Sequence, residues 1–145
     1  MKKIISGIVM IVIFASLFIS CKKDDDSSNS GSTFNTSTII TQGVWKISLF
    51  KDNNVDETSN YTGYQFTFTG GGSAVAISGS LVTNGTWSTL NDNSQNKLEL
   101  KFGTTPPLDE ISEDWHVVAA SSTTLQMEHV SGGNGGTDYL TIQKL

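Results

Sequence analysis

The sequence predicts an all-β domain, an antiparallel barrel of about eight short strands with one short helix, which follows a signal peptide and a flexible tether. Apolar and polar residues alternate with period two from residue 41 onwards, as is typical of strands with one buried face. Clusters of Gly, Asn, Asp and Ser separate the alternating segments at fairly even intervals. The chain has 145 residues, which is enough for one such domain.

Residues 1–20 have the composition of a secretory signal peptide. Two lysines precede an apolar run from Ile4 to Ile19, which is shorter than the roughly 20 residues that a helix needs to span a bilayer. A basic start, a short apolar run and a small residue at its end are typical of signal peptides. The single Cys of the chain, Cys21, follows directly, so no intrachain disulfide is possible.

The segment Leu17-Phe18-Ile19-Ser20-Cys21 resembles the lipobox of bacterial lipoproteins, in which a small residue precedes the modified Cys. The resemblance implies that Cys21 receives a diacylglyceryl group and becomes the acylated first residue after cleavage of residues 1–20. Several acyl chains, at about 0.8 kcal/mol per buried CH₂, anchor a protein in effect permanently. The alternative is a free or buried Cys after an ordinary signal peptide.

Residues 21–38 are small, polar and charged, and they are predicted to form a disordered tether because they cannot bury enough apolar surface. The start of this tether resembles the export signal that sends lipoproteins of the Bacteroidetes type to the outer leaflet of the outer membrane; it consists of Lys22, Lys23, Asp24, Asp25 and Asp26. The resemblance implies a lipid-anchored outer-membrane protein exposed at the cell surface. A solvated spacer without a receptor is the alternative.

The charge of the chain excludes one class of partner. It contains 9 Lys, no Arg and 14 acidic residues, so the net charge is −5 and the pI about 4.8. Nucleic-acid binding relies on cations at the phosphates, so we expect no nucleic-acid partner. Cleavage after residue 20 would leave 7 Lys against 14 acids, a net charge of −7. Such a surface suits a protein that stays soluble beside an acidic membrane surface.

Residues 39–145 are predicted to form the barrel. Eight segments alternate and are assigned as strands: 44–51, 64–69, 73–79, 84–90, 97–102, 115–120, 125–130 and 139–143. The connections are predicted as a turn at 52–54, a glycine turn at 70–72 and a polar loop at 91–96. Pro106-Pro107 interrupts the sheet, and Leu108 to Asp114 is predicted to form one or two helical turns with Leu108 and Ile111 on one side.

An ordered set of motifs resembles the lipocalin-like domain of small Bacteroidetes lipoproteins. It comprises Gly43-x-Trp45, Gly63-Tyr64-x-Phe66-x-Phe68, Gly85-Thr86-Trp87, Leu98-x-Leu100-x-Phe102, and Leu108 with Ile111 before Trp115. The resemblance implies a lipocalin-like barrel over most of residues 41–130. In lipocalins an Arg from a late strand packs across the first Trp, and this chain has no Arg. Lipocalin ligand chemistry is therefore not carried over.

The alternation directs fifteen large side chains to the barrel interior: Trp45, Ile47, Leu49, Tyr64, Phe66, Phe68, Trp87, Leu98, Leu100, Phe102, Trp115, Leu125, Met127, Leu140 and Ile142. The interior of an eight-stranded barrel is just wide enough for side chains to fill, so these residues predict a packed core. The alternative is a small ligand pocket. It would border the small side chains Ala74 and Ala76 and the ring of Trp87 on the next strand.

The two imidazoles are predicted to lie on opposite faces of the sheet. His116 alternates with inward Trp115 and therefore points outward, whereas His129 shares the inward parity of Leu125 and Met127. They cannot share a metal ion without a bulge. We therefore predict no metal site, an exposed His116 and a strand-end His129 near the barrel rim.

Acidic residues also resemble cation sites in two places. Residues 52–57 match the start of a calcium loop, but the sixth and twelfth positions hold Glu57 and Gly63 instead of Gly and a bidentate acid, which favours a hairpin loop. A second group of four acids could attract a cation or a basic partner, although a solvated face is the favoured interpretation; it consists of Asp109, Glu110, Glu113 and Asp114.

No catalytic site is predicted. The chain lacks a Gly-x-Ser-x-Gly motif, acylation would remove the single Cys as a nucleophile, and no acid–base pair can be named. We therefore expect no cofactor and a non-enzymatic binding or interaction domain, held to the membrane by its lipid, whose partner is an envelope protein, a glycan or another envelope component. The alternative is a lipocalin-like carrier of a small apolar ligand. A closed apolar cavity would distinguish the carrier.

Overall fold

The computed structural model describes residues 35–92, 95–131 and 135–145, which belong to one compact unit. A short helix α1 covers Thr36–Ile40, and a 3₁₀ turn covers Thr58–Tyr61. Nine strands complete the described elements: β1 Val44–Asp52, β2 Val55–Asp56, β3 Tyr64–Phe68, β4 Ser73–Ser78, β5 Leu81–Asp92, β6 Gln95–Lys101, β7 Asp114–Ala120, β8 Thr124–Val130 and β9 Thr137–Lys144.

The strands form a closed antiparallel barrel. From β3 to β9 each strand pairs with the next, and β1 pairs with both β3 and β9, which closes an eight-stranded ring. The two-residue β2 extends β1 as a hairpin through Asn53 and Asn54, whose φ angles are +46° and +70°. Positive φ at both central residues is the type I′ geometry that matches strand twist. The predicted all-β barrel and the turn at 52–54 are confirmed.

The strands from β3 to β6 follow their sequence pattern closely. Their ladders keep an unbroken register, so Phe66, Phe68, Leu98 and Leu100 all face the core as predicted. β5 and β6 are longer than expected. Asn91 pairs with Asn96 across the hairpin, so most of the predicted loop at 91–96 is strand.

The helical segments differ from the prediction. Residues 108–111 form turns instead of helix: the amides of Leu108 and Asp109 both bond to the Thr105 carbonyl, and no regular ladder of helical bonds follows. Asp114 already pairs with β6, and so short a helix would repay little of its nucleation cost. The α-helix lies instead at Thr36–Ile40, partly within the range predicted as tether, with Asn35 capping it through a bond from the Thr38 amide.

A bulge in β1 overturns one inward assignment. The register against β9 shifts between Ile47 and Leu49, so Phe50 pairs with the fully buried Leu140 and is itself 2% exposed. Leu49, predicted to point inward, is only half-buried and lies beside Thr141. One extra residue reverses the inside–outside parity of everything after it, and strict alternation cannot reveal that.

Trp45 closes one part of the core. Its indole is fully buried and donates to the Ile40 carbonyl at 2.8 Å. The ammonium of Lys144 on β9 lies 5.7 Å from the centre of the ring, a cation–π arrangement. Gly43 has a φ of +97°, and a Cβ there would lie 3.1 Å from the Lys144 side chain. Gly43 therefore leaves room for the Lys144 side chain beside the Trp45 ring.

Candidate functional site

The predicted lipid-attachment and export residues lie outside the described part of the chain. This applies to the signal peptide and to the charged start of the tether, namely Cys21, Lys22, Lys23, Asp24, Asp25 and Asp26. Their roles stay predictions. Among the described residues, no helix is long and apolar enough to cross a membrane.

The three residues predicted to border a small pocket lie in the barrel core. Ala74 and Ala76 are 1% exposed and pair directly with Phe68 and Phe66. The indole of Trp87 packs edge-on against Phe68 at 6.3 Å and donates to the Thr69 carbonyl at 2.9 Å. Small residues thus face large rings across the ladder. None of the three lines any of the clefts described below.

The described side chains that face inward form one hydrophobic cluster of 21 buried residues. Aromatic rings meet in edge-on pairs within it, including Phe50 with Trp115 at 6.3 Å and Phe66 with Phe102 at 5.7 Å. Gly85 allows the Phe102 ring to pack closely against β5, because a Cβ at this position would lie 2.6 Å from the ring. Side chains therefore occupy the axial region in which a barrel carrier would hold its ligand.

A cleft opens where β1 and β3 separate. β3 pairs only with Val44 and Trp45, and β2 only with Lys51 and Asp52, so the same edge of β1 is uncovered between them. The 3₁₀ turn bridges this gap, with the Phe50 amide donating to the Thr58 hydroxyl at 2.9 Å. The resulting β1–β3 cleft has a volume of about 300 Å³ and is lined by Lys46, Ile47, Thr58, Tyr61, Thr62, Gly63, Tyr64, Gln65 and Leu145.

The lining of the β1–β3 cleft combines flat rings with hydrogen-bonding groups. Tyr61 and Tyr64 pack edge-on at 6.3 Å, and the surrounding hydroxyl, amide and ammonium groups come from the threonines, Gln65 and Lys46. The Tyr61 hydroxyl donates to the Pro107 carbonyl at 2.7 Å and is 3.5 Å from the Glu110 carboxylate. Burial, followed by the charge of Glu110, raises the pKa of Tyr61 strongly, so it stays protonated.

A second cleft lies on the outer face of the barrel and is called the outer cleft. It has a volume of about 390 Å³ and is lined by Leu49, Lys51, Val118, Gln126, Met127, Glu128, Tyr139 and Thr141. Two register shifts contribute to it, because one turns Leu49 outward and the other lies at Val118 in β7. Neither shift is visible in the alternation of the sequence. In the sequence, the pair Tyr61-x-x-Tyr64 is the one feature that could have indicated the β1–β3 cleft, since both residues line it.

The imidazoles lie on the sides that their strand parity predicted, but His116 is half-buried and not exposed as predicted. His116 is on the outer side, with its Nδ1 3.4 Å from the Glu128 carboxylate. His129 packs edge-on against the buried ring of Trp115 at 5.9 Å near the end of β8. The group of residues whose ligand atoms converge around His129 does not include His116. The segment 52–57 is a hairpin, in which Asp56 accepts from the Thr58 amide.

Comparison with known proteins supports the fold but identifies no function. No known protein family matches the sequence, and no curated protein matches it either. Among solved structures, the chain is similar to a DUF4847 family protein from Bacteroides vulgatus, with a TM-score of 0.52 and 17% identity. The match covers 75% of this chain and 96% of that chain. At this identity the likeness shows a shared barrel fold alone.

Proposed function

We propose that the chain is a lipid-anchored lipoprotein of the outer membrane, exposed at the cell surface, whose barrel binds a partner without catalysing a reaction. The lipobox-like sequence at Cys21 and the acidic run after it support the anchor and the location. A fold shared with a Bacteroides barrel protein is compatible with this proposal.

The binding half of the proposal depends on one observation: side chains fill the described interior, whereas recesses of ligand size open on the outside. Ligand pockets typically have volumes of about 300–1,000 Å³. The β1–β3 cleft and the outer cleft reach about 300 and 390 Å³. The partner is therefore expected to bind at the outside of the barrel.

The β1–β3 cleft is the preferred site of the two. The partly exposed ring of Tyr64 offers flat apolar surface, and the groups around it both donate and accept hydrogen bonds. This mixture suits an amphipathic partner such as a glycan or a protein segment.

Native mass spectrometry of the full-length protein, extracted in detergent from its own host, tests the anchor and the ligand together. The expected mass is that of residues 21–145 plus acyl groups, without a small molecule of a few hundred daltons. Cys21→Ser should lose the acyl mass and leave the membrane fraction after a high-salt wash. A Ser variant that keeps the acyl mass would refute the anchor. A co-purifying apolar molecule would favour the carrier alternative.

Partner capture with two matched variants tests the site. Gln65→Arg places a bulky cation in the β1–β3 cleft, and Asn84→Arg places one at an exposed position of β5, two strands away from β3 and outside the lining of the cleft. Surface cross-linking on host cells should give an adduct that Gln65→Arg removes and Asn84→Arg retains. Equal loss in both variants, or in neither, would contradict binding at this cleft.

Replacing Asp24, Asp25 and Asp26 by Ala tests the export signal. The variant should be less accessible to protease added outside the cell, while acylation of Cys21 stays intact.

A further inference from the structure

Three carboxylates surround the imidazole of His129 near one end of the barrel. Its Nε2 lies 3.6 Å from Asp114 Oδ1 and 3.9 Å from Glu113 Oε2. Its Nδ1 lies 3.8 Å from Asp138 Oδ2. These separations exceed hydrogen-bond length, and the buried Nδ1 has no hydrogen-bond partner in the described structure. Both ring nitrogens therefore face acceptors that they do not yet contact.

The fold brings these groups together from three neighbouring strands. Glu113 and Asp114 stand at the start of β7, where the Glu113 carbonyl accepts from the Leu100 amide and so ties the segment to β6. His129 pairs with Asp138 in the ladder between β8 and β9. The buried ring of Trp115 packs against the imidazole and limits its rotation. Asp114, His129 and Asp138 thus lie on strands, which hold side chains more precisely than loops, and Glu113 directly precedes β7.

The spacing suits a small cation. The ligand atoms of Glu113, Asp114 and His129 all lie within 4.8 Å of one another. A tetrahedral zinc ion with bonds of about 2.0–2.2 Å keeps its ligand atoms about 3.4 Å apart. The 3.6 and 3.9 Å separations from the imidazole need to close by a few tenths of an ångström, and the separation between the two carboxylates, which is within 4.8 Å, can close by rotation of these partly exposed side chains.

The charges around the cluster favour a divalent ion. Lys97 Nζ lies 2.8 Å from Asp114 Oδ2, and this hydrogen bond lowers the pKa of Asp114, so the carboxylate is ionised while Oδ1 still faces His129. Glu113, Asp114 and Asp138 contribute three negative charges and Lys97 one positive charge, which leaves −2 when the imidazole is neutral. A divalent cation balances this charge.

The cluster is also accessible. An open cleft of about 250 Å³ adjoins it and is lined by Gln95, Lys97, Asp114, His116, Glu128, His129 and Val130. Glu113 and Asp114 are 49% and 43% exposed, whereas His129 is 20% exposed. An ion can therefore enter from solvent, and the cleft leaves a coordination position for water.

We propose that Glu113, Asp114 and His129 bind a divalent transition-metal ion, and that zinc fits best. One imidazole nitrogen with two carboxylate oxygens favours such ions over calcium, which takes oxygen ligands. Asp138 is the positioning residue: its Oδ2 lies 3.8 Å from Nδ1, and once that gap closes it would accept from Nδ1–H and leave the lone pair of Nε2 directed to the ion. His116 lies outside the cluster, in agreement with the prediction that the two imidazoles share no site, but the proposal departs from the prediction that the chain has no metal site.

Isothermal titration of the untagged full-length protein in detergent with Zn²⁺ tests the proposal, in the wild type and in a Cys21→Ser background without a competing thiol. We expect one-to-one binding that His129→Gln weakens by at least tenfold. His116→Gln, the matched control with the other imidazole, should bind as the wild type does. Asp138→Asn should weaken binding by roughly 10–100-fold.

Three results would overturn the metal site: no saturable binding to the wild type, unchanged affinity in His129→Gln, or equal loss in His116→Gln. Circular dichroism verifies that each variant is folded. Should His129→Gln fail to fold, Glu113→Gln alters one half-exposed ligand without disturbing the core and should itself weaken binding at least fivefold. An unchanged affinity in that variant would refute the site, and His129 would then serve only as an ion-pair partner of its carboxylates.

Discussion

The wall from β3 to β6 and the strand β1 both direct large rings into the barrel, but with different backbone geometry. In the wall, ladders run without a register shift, and small residues such as Ala74, Ala76 and Gly85 face the rings of their neighbours. β1 instead carries a bulge after Ile47 and divides one edge between two partners. Both regions contribute to the core, and the two clefts of ligand size adjoin the irregular strand.

This difference shows where an outward-facing site can arise in a small filled barrel. A regular ladder leaves little free volume, because each side chain has a neighbour directly opposite. A bulge turns a side chain outward, and a strand that leaves its partner uncovers an edge. Both described clefts of ligand size therefore include residues of β1.

The largest expected effect lies where β1 still pairs with the wall, at Trp45. Trp45→Ala should lower the free energy of unfolding by about 3–5 kcal/mol, because it empties a fully buried site and removes the bond to Ile40. The outward neighbour variant Lys46→Ala should cost under about 0.5 kcal/mol. Urea denaturation measures both. Similar losses would mean that the parity at the start of β1 is wrong.

The bulge is tested at Leu49 and Phe50, the two residues of β1 that follow the register shift. Phe50→Ala should destabilise by about 3 kcal/mol or more, because its ring is buried against Tyr61 and Trp115. Leu49→Ala should cost under about 1 kcal/mol, because Leu49 lies on the outer side. Unfolding curves of the two variants give the ranking. The reverse order would restore strict alternation and remove the bulge.

The density of the regular wall is tested by adding one methyl group. Gly85→Ala places a Cβ 2.5 Å from the Lys101 carbonyl oxygen and 2.6 Å from the Phe102 ring, so we expect a loss of about 1–3 kcal/mol from overpacking. Thr86→Ala on the exposed side should be nearly neutral. A thermal melt compares them. A neutral Gly85→Ala would indicate free volume inside the wall.

The smallest effect is expected beside the β1–β3 cleft, at Glu110. Burial, then the charges of Glu57, Asp109 and Asp52, raises its pKa, so the fold favours the protonated carboxyl. The cost of ionising it is absent at pH values below the ordinary value near 4.5 and develops as the pH rises through the folded pKa. Glu110→Gln should therefore stabilise the protein at pH 7 and leave it unchanged at pH 4.

The gain from Glu110→Gln is expected to stay under about 0.5 kcal/mol, because Glu110 is mostly exposed and water screens its charges. Melting temperatures at the two pH values measure it. A gain at pH 4 that equals the gain at pH 7 would show that the substitution acts through packing instead of charge.

The sequence by itself determined the class of fold and most of the core. Period-two alternation and turn residues were sufficient for the eight barrel strands, because the inside and outside of a regular strand differ in polarity at every step. Trp45, Trp87 and Trp115 were all placed inside correctly. The separation of the two imidazoles was likewise a matter of strand parity.

Only the tertiary structure decided where the recesses and the His129 cluster lie. The bulges at Ser48 and Val118 leave no signal in a single sequence, because each inserted residue is compatible with a strand. Glu113, His129 and Asp138 come from successive segments and meet because of the register in which β7, β8 and β9 pair, which a single sequence does not reveal. Lys144 lies over the Trp45 ring because closure of the barrel pairs the last strand, β9, with the first strand, β1.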